Sequence, residues 1–335
     1  MREALAAWLG RTEVTVEQVG SGGSNLTFRV QAGDDDWILR RPPMSHVLAT
    51  AHDMAREWTV LQALFATDVP VPRIVRTCAD ESVLGAPFYL MERLDGIVFN
   101  DATDVAHLDD DQSLACAHEL VDVLARLHAV DPASVGLAEF GRPEGFVERQ
   151  VRRWSKQWEA SKQRELPAID EVARRLTSSL PTEGGASIVH GDYSFNNTMF
   201  FRHPPTRMQA VLDWEMSTLG DPLTDVGMVA VYWAEVGEFM WRNRAHPQPH
   251  RANAGFPSVH SLLERYASSS GRDLGAIDFY RALATFKLAV IVEGSYARAA
   301  GSGDPERIAT IDNTVRTLAE MALEASRRLV PSRSA

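Results

Sequence analysis

His190-Gly191-Asp192-Tyr193-Ser194-Phe195-Asn196-Asn197, followed after an apolar run and a polar turn by Asp213-Trp214-Glu215, carries more information than any other part of this chain. Ile188-Val189 leads into the first segment, Thr198-Met199-Phe200-Phe201 follows it, and Ala210-Val211-Leu212 precedes the second. Short apolar runs broken by polar turns predict a small sheet with acidic residues at its strand ends. Carboxylates gathered this way repel: at an effective dielectric near 20, two unit charges about 4 Å apart cost about 4 kcal/mol. A bound cation removes that cost. Asp and Asn oxygens suit Mg²⁺, which takes one or two carboxylates together with substrate phosphates, and the donor set therefore points to phosphoryl transfer.

A single Asp at a strand end also serves as a turn former or helix cap, so the order of residues matters more than any one of them. His-Gly-Asp, four residues, Asn, then Asp-x-Glu one hairpin later is the order of a kinase catalytic loop and its metal-binding Asp. Gly191 stands where protein kinases carry Arg. On these residues the chain resembles the aminoglycoside phosphotransferase and choline kinase-like family, and Leu219-Gly220-Asp221-Pro222-Leu223-Thr224-Asp225-Val226-Gly227 is similar to that family's continuation. Three further segments resemble one branch, the phosphotransferase domains found alone or fused to acyl-CoA dehydrogenases: Gly22-Gly23-Ser24-Asn25-Leu26-Thr27, Leu39-Arg40-Arg41-Pro42-Pro43 and Glu293-Gly294-Ser295-Tyr296-Ala297-Arg298. The resemblance runs from about Val19 to Arg298.

It implies an α+β, bilobal protein-kinase-like fold, with a small β-rich nucleotide-binding lobe over residues 1–94 and a larger, mostly helical catalytic and acceptor-binding lobe over 95–335. ATP and Mg²⁺ are the implied cofactors. Asp192 would orient the acceptor hydroxyl and take its proton, and Asn197 and Asp213 would hold Mg²⁺. Arg40 occupies the place of the kinase lysine that grips the α- and β-phosphates, a departure from the wider family; Arg offers a planar fork where Lys is a point charge. Glu57 would orient Arg40. Met91, Glu92 and Leu94 fall in the connector whose backbone meets adenine.

The rest of the chain fits this frame. Residues 2–10 predict a short helix, and residues 14–40 predict two or three strands broken by Gly20-Ser21-Gly22-Gly23-Ser24 and by Gly33-Asp34-Asp35-Asp36. A glycine-rich turn lets backbone N–H groups approach phosphates, which would place Gly22, Gly23, Ser24 and Asn25 on the nucleotide; Gly-Ser clusters also make ordinary hairpin turns. Met54, Trp58, Leu61 and Phe65 predict a helix buried along one face. Leu114, Ala117, Val121, Leu124 and His128 predict another, with His128 packed rather than ligating. Arg149, Arg152, Arg153, Lys156 and Lys162, interleaved with Trp154 and Trp158, read either as a solvated face or as a docking surface for an anionic acceptor such as a coenzyme A phosphate. Asp221 and Asp225 read as residues that cap a helix and anchor the catalytic loop. Residues 241–257, rich in Arg, Asn, His and Pro, predict a mobile loop or lid. Glu293 lies on the buried line of Phe279, Leu283, Phe286 and Val290, where a carboxylate must be paired or face a cavity; Glu293, Tyr296 and Arg298 are accordingly the C-terminal candidates for acceptor contacts.

Composition bounds the alternatives. At 335 residues with 45% hydrophobic and 24% charged residues, the chain can bury a substantial core. A net charge of −11 lacks the broad basic footprint of a nucleic-acid binder. The two cysteines, Cys78 and Cys116, form neither a disulfide framework nor a zinc motif. No apolar run is long enough for a membrane span, and Ala4-Leu5-Ala6-Ala7-Trp8-Leu9 is too short for a secretion signal, so a cytoplasmic location is expected. The expected activity is transfer of the γ-phosphate to a hydroxyl of a small molecule, with a hydroxyacyl-CoA or hydroxy acid preferred and an aminoglycoside, choline or sugar as alternatives. A nucleotide-binding regulatory protein of pseudokinase type is the rival reading, motivated by Arg40. Oligomeric state is left open by the sequence.

Overall fold

Phe28, Val30 and Ala32 are buried while Arg29 and Gln31 between them are not, the period of two that pleats a strand with one core face. A computed structural model describes residues 1–19, 25–43, 53–242, 248–300 and 304–330, with the backbone alone at 241 and 297–300. Along the first lobe run α1 (Arg2–Leu9), β1 (Thr15–Gln18), β2 (Leu26–Ala32), β3 (Asp35–Arg41), α2 (Met54–Leu64), β4 (Ile74–Cys78), α3 (Glu81–Leu84) and β5 (Phe88–Glu92). The strands form one sheet in the order β1-β2-β3-β5-β4, each neighbour antiparallel. Asp53 caps α2 by accepting the Arg56 N–H at 3.2 Å.

Beyond Glu92 the chain turns helical. It continues as β6 (Gly96–Val98), α4 (Ala102–Val105), α5 (Asp110–Ala129), α6 (Phe146–Ser161), α7 (Pro167–Ser178), β7 (Ser187–Val189), β8 (Thr198–Phe201), β9 (Met208–Val211), β10 (Thr218–Gly220), α8 (Leu223–Trp233), α9 (Glu235–Arg242), α10 (Val259–Ser270), α11 (Ile277–Ala300) and α12 (Pro305–Ser326). β6-β8-β9 and β7-β10 make two small antiparallel sheets. The architecture is the expected α+β one, a β-rich first lobe against a mostly helical second. No helix among the described residues is long and apolar enough to cross a membrane.

Two apolar cores divide the work. One lies under the first sheet and α1, around Leu5, Val30, Leu39 and Phe88. The other joins the inner face of α2 to β5 and runs on through the helices of the second lobe, so α2 is packed as part of the larger core.

The buried faces differ in detail from the periodicities read in the sequence. On α2 the covered line is Met54, Glu57, Val60, Leu61 and Leu64, while Phe65 is exposed; Glu57 thus sits on the buried stripe itself. On α5 Leu114 is exposed, and Ser113, Cys116, Ala117 and Leu120 take the inner face. Within 241–257, residues 243–247 lie outside the described residues, but Gln248, Pro249 and His250 are buried, so this part is packed rather than standing open as a lid.

α8 and α11 approach closely through Gly227. A Cβ there would meet the Tyr280 backbone carbonyl at 2.7 Å. Gly227→Ala gains about 1 kcal/mol of helix propensity, yet the obstructing atoms are backbone and cannot swing aside. We expect a net loss of about 1–3 kcal/mol, read as a lower urea midpoint at unchanged m-value.

His250 stacks on Trp233 with ring centroids 3.9 Å apart, and neither ring nitrogen has a hydrogen-bond partner among the described residues. Burial pushes its pKa down to about 3, whereas the unfolded imidazole takes up a proton near 6.5. The folded state therefore resists a proton that the unfolded state accepts, and its stability falls as pH drops below 6.5. Between pH 6.5 and 5 the loss is about 2 kcal/mol. His250→Phe keeps the stack and is expected to flatten that part of the stability–pH curve, measured by denaturant titration at several pH values.

Candidate active site

β7 ends at Val189, and one carboxylate takes the backbone N–H groups of both residues that follow. Asp225, on the first turn of α8, accepts the His190 N–H at 2.7 Å and the Gly191 N–H at 2.8 Å. Its Oδ2 also lies 3.3 Å from His128 Nε2, while His128 Nδ1 meets the Tyr266 hydroxyl at 2.7 Å. Burial alone would raise the Asp225 pKa, but the His128 hydrogen bond and the neighbouring histidines and N–H groups outweigh it and hold the carboxyl below its ordinary range. Burial likewise depresses His128, which stays neutral with its Nε2–H on Asp225. Asp225 thus anchors the loop and His128 is packed, as expected of both.

Gly191 answers the departure from protein kinases. Its φ is +85°, and a Cβ would lie 2.7 Å from the Met216 carbonyl oxygen. Only glycine fits here. His190 is fully buried; its Nε2 donates to the Leu212 carbonyl at 2.8 Å and its Nδ1 accepts the Asp192 N–H at 3.2 Å. The ring braces the loop from within. A 3₁₀ turn, Phe195–Asn197, then returns the Asn197 amide N–H to the Asp192 carbonyl at 2.9 Å and to its carboxylate at 3.1 Å. The Leu212 N–H donates to the Asn197 carbonyl at 2.8 Å, which brings Asp213 beside this pair. Asp213 has φ +62°, a left-handed conformation uncommon for a non-glycine residue and concentrated at functional sites.

Arg40, on β3, crosses to this loop. Its Nη2 lies 3.1 Å from Asp213 Oδ1 and 3.2 Å from Glu57 Oε1. Glu57 is 1% exposed. Burial would strip charge from the guanidinium, but the Glu57 carboxylate outweighs it and Arg40 keeps its proton. Asn25, at the end of the glycine-rich turn, donates to Glu215 at 3.2 Å and faces Glu57 at 3.5 Å. Gly22, Gly23 and Ser24 lie outside the described residues.

The donors present fit a nucleotide and a hard cation. Arg40 Nε is buried without a hydrogen-bond partner among the described residues, a free donor of the kind a phosphate oxygen satisfies. Asn197 has its amide nitrogen tied to Asp192, which leaves its side-chain oxygen for a cation. Among the described residues no group of three or more His, Cys, Asp and Glu is poised for a metal ion, and a site completed by phosphate oxygens needs none. Met91 and Glu92 are the last residues of β5, paired with Ile38 and Trp37; Met91 is buried, Glu92 accepts the Arg73 N–H at 2.7 Å, and Leu94 follows in the strand-free connector.

On the other side of the loop opens a cavity of about 840 Å³, with Gly191, Glu215 and Met216 on its inner wall. Arg149 and Arg153 of α6 line it together with Arg142, Arg56 and Lys287. The basic helix is therefore divided: Arg149 and Arg153 face the cavity, and Arg152, Lys156 and Lys162 do not. Glu293 and Tyr296, expected as acceptor contacts, do not line it. Glu293 is instead bound by both 3.0 Å contacts of Arg164 and by the Gln163 N–H at 3.1 Å, and the Arg164 guanidinium stacks over the Tyr296 ring at 4.1 Å. A buried carboxylate on an apolar helix line must be paired, and here the pairing is internal. The Arg298 side chain lies outside the described residues. The sequence reading missed Lys287, whose signal was a lone cation within the apolar stretch of α11, and Arg142, which has none.

A buried cation from the first lobe, a braced loop of Asp and Asn, and a cavity behind them are the arrangement of a kinase-like phosphotransferase. Residues 15–256 match the Phosphotransferase enzyme family, APH, and the chain belongs to that family. It is a small-molecule phosphotransferase acting on hydroxyl groups. A chain from Ralstonia eutropha JMP134, provisionally assigned as an aminoglycoside phosphotransferase, has a crystal structure that superposes with a TM-score of 0.83 at 33% identity, covering 98% of both chains. Aminoglycoside 2'-phosphotransferase-IIIa in its GDP complex shares the fold with a TM-score of 0.64 at 14% identity, over 95% of this chain and 97% of that one. Acyl-CoA dehydrogenase family member 11 of Rattus norvegicus is 37% identical over 324 residues, which cover 95% of this chain and 41% of that protein. The chain thus spans about two fifths of that relative.

Asp225→Asn tests the loop anchor. It leaves two N–H donors facing an amide in place of a buried anion, and we expect a loss of about 2–4 kcal/mol of stability. Turnover of the surviving folded enzyme should drop about 100-fold, since small misplacements of a catalytic group cost that much. Denaturant unfolding and steady-state ADP release at a temperature below the unfolding transition separate the two effects.

Proposed function

We propose that this enzyme transfers the γ-phosphate of ATP, with Mg²⁺, to a hydroxyl group of an anionic small molecule, a hydroxy acid or a hydroxyacyl-CoA. The cation-lined cavity behind Asp192 carries this reading. Arg142, Arg149, Arg153 and Lys287 all reach its wall, whereas an aminoglycoside or choline acceptor is itself cationic. At an effective dielectric of 20 each like-charge contact near 4 Å costs about 4 kcal/mol, and the five cations Arg56, Arg142, Arg149, Arg153 and Lys287 outnumber the three carboxylates of the wall, Asp53, Glu215 and Asp225. An acyl-CoA or a carboxylate gains where those acceptors lose. The relatives that are acyl-CoA dehydrogenases support the same acceptor class.

In this reading Asp192 orients the acceptor hydroxyl and receives its proton as the new bond to phosphorus forms. Asn197 and Asp213 hold the divalent cation, which when bound neutralises charge on the β- and γ-phosphates. Arg40, set by Glu57, grips the α- and β-phosphates with its planar fork. Gly22, Gly23, Ser24 and Asn25 cover them, and the connector from Met91 through Glu92 to Leu94 receives the adenine. Replacement of the kinase lysine by Arg preserves the charge and adds a second donor direction, so the chemistry survives.

ADP release with Mg²⁺ and ATP, measured across hydroxyacyl-CoAs, hydroxy acids, choline and aminoglycosides, tests the proposal. We expect acceptor-dependent turnover with the anionic compounds and a fall of about 10³-fold or more in kcat for Asp192→Ala. ATP binding without transfer to any compound, with the variant equal to wild type, would favour a regulatory nucleotide-binding protein instead. Turnover confined to cationic acceptors would overturn the acceptor class alone.

A further inference from the structure

Lys287 of α11 is a buried cation to which no structural role described so far assigns a charge. It is 8% exposed. Its Nζ donates to the Gly191 carbonyl at 2.6 Å and lies 5.6 Å from the centre of the Trp154 ring. Among the described residues no carboxylate forms an ion pair with it. Burying an ammonium costs several kcal/mol, and a methionine of similar volume would fill the same space without that cost. One hydrogen bond to a backbone carbonyl leaves two N–H donors, and the residue lines the cavity wall beside Gly191.

The other cations of the cavity are held differently. Arg56 donates to the Phe140 carbonyl at 2.6 Å and to the Ser217 carbonyl at 3.3 Å, and its guanidinium lies 4.2 Å over the Phe140 ring; Arg149 is bonded to the Glu144 and Arg142 carbonyls. Unlike these two arginines, Lys287 is fastened to the loop that carries Asp192, at the residue that immediately precedes it.

We propose that Lys287 is a further catalytic residue, whose ammonium, fixed by the Gly191 carbonyl, binds the phosphoryl group as it passes to the acceptor oxygen. The inference rests on the assignment of Asp192 above. In the step, the acceptor O–H proton moves to the Asp192 carboxylate, the acceptor oxygen forms its bond to phosphorus, and the bond from phosphorus to the β–γ bridging oxygen breaks, its electron pair leaving with ADP. Charge on the departing α- and β-phosphates is met by Arg40 from the first lobe, and charge on the transferring oxygens by Lys287 from the second. Preorganised charge of this kind acts in the transition state and appears in kcat rather than KM.

The groups facing Lys287 are Asp192 on the loop, Asp225 on α8 and Arg153 on α6; burial lowers its pKa from the ordinary lysine value, and the two carboxylates only partly restore it. The working form is protonated, so activity is lost as pH rises through that lowered pKa.

The test uses the full chain with ATP and Mg²⁺, once with 3-hydroxybutyryl-coenzyme A as acceptor and once with water alone, where slow ADP release reports phosphoryl transfer independently of the acceptor. Lys287→Met should lower kcat in both assays by about 10²–10³-fold, while the ATP dissociation constant and the acceptor KM stay within about threefold. Lys287→Arg should recover kcat to within about tenfold of wild type and lack the basic limb, because guanidinium stays charged throughout. The wild-type profile, which needs no variant to fold, should itself show a basic limb below pH 10.5, the ordinary lysine value. A kcat for Lys287→Met within threefold of wild type, a loss confined to acceptor KM, or a wild-type profile flat to about pH 10 would overturn the inference. Asp192→Ala separates the two readings: if it abolishes turnover while Lys287→Met does not, only the Lys287 role falls, and if both variants match wild type the assignment of Asp192 falls and takes Lys287 with it.

Discussion

The carboxylate of Asp225 receives two successive backbone N–H groups, those of His190 and Gly191, and the rest of the site is built on that contact. A strand end would otherwise leave those donors buried and unpaired, at about 1–3 kcal/mol each. Meeting both with one carboxylate goes with the left-handed turn at Gly191, and the turn sets Asp192 beside Asn197. His190 then closes the bracket by reaching the Leu212 carbonyl, one residue before Asp213. A single buried anion on α8 thereby fixes both the loop that bears Asp192 and the hairpin that bears Asp213.

The same economy governs the first lobe. Glu57 lies on the buried stripe of α2 and not on its shoulder; burial raises its pKa, and the Arg40 cation opposite offsets part of that cost. Because α2 shares its core with the second lobe, the position of Arg40 is tied through Glu57 to the packing of that lobe's helices. The contact of Arg40 with Asp213 then joins strand β3 to the hairpin that bears Asp213. Nucleotide phosphates would enter a site in which opposite charges are already paired, and their binding must compete with that pairing.

How much of this was legible in the sequence follows from the kind of signal each residue leaves. His190, Gly191, Asp192, Asn197 and Asp213 fall within 24 residues, and their order alone pointed to the chemistry. The α+β division was readable from the change from strand-like to helical periodicity near residue 94. Glu293 illustrates the limit: its place on an apolar line correctly demanded a partner, but sequence cannot say whether that partner is a ligand or the chain's own Arg164. Leu114 and Phe65 were misplaced because a helix stripe wide enough to include neighbours at three and four residues tolerates a rotation of one position. The cavity arginines were only half legible, since Arg149 and Arg153 share a helix with Arg152 and Lys156 and the division between inward and outward faces is set by what α6 packs against.

α11 shows why the wall of the cavity resists sequence reading while the order of the loop residues does not. A kinase-type catalytic loop and its metal-binding Asp follow a set order along the chain. The cavity wall comes instead from whichever helix faces it, and besides Tyr280 α11 offers Leu283, Ala284, Lys287 and Ile291 at spacings of one, three and four. Three of these four are apolar and indistinguishable from core. What separates Lys287 from them is an energetic argument and not a motif: it is a charge kept in the interior with Asp192 and Asp225 facing it but no carboxylate in ion-pair contact among the described residues, which suits a site where the working cycle supplies further opposite charge. On the role proposed for Lys287 that charge is the phosphoryl group, which occupies the site for only part of the cycle.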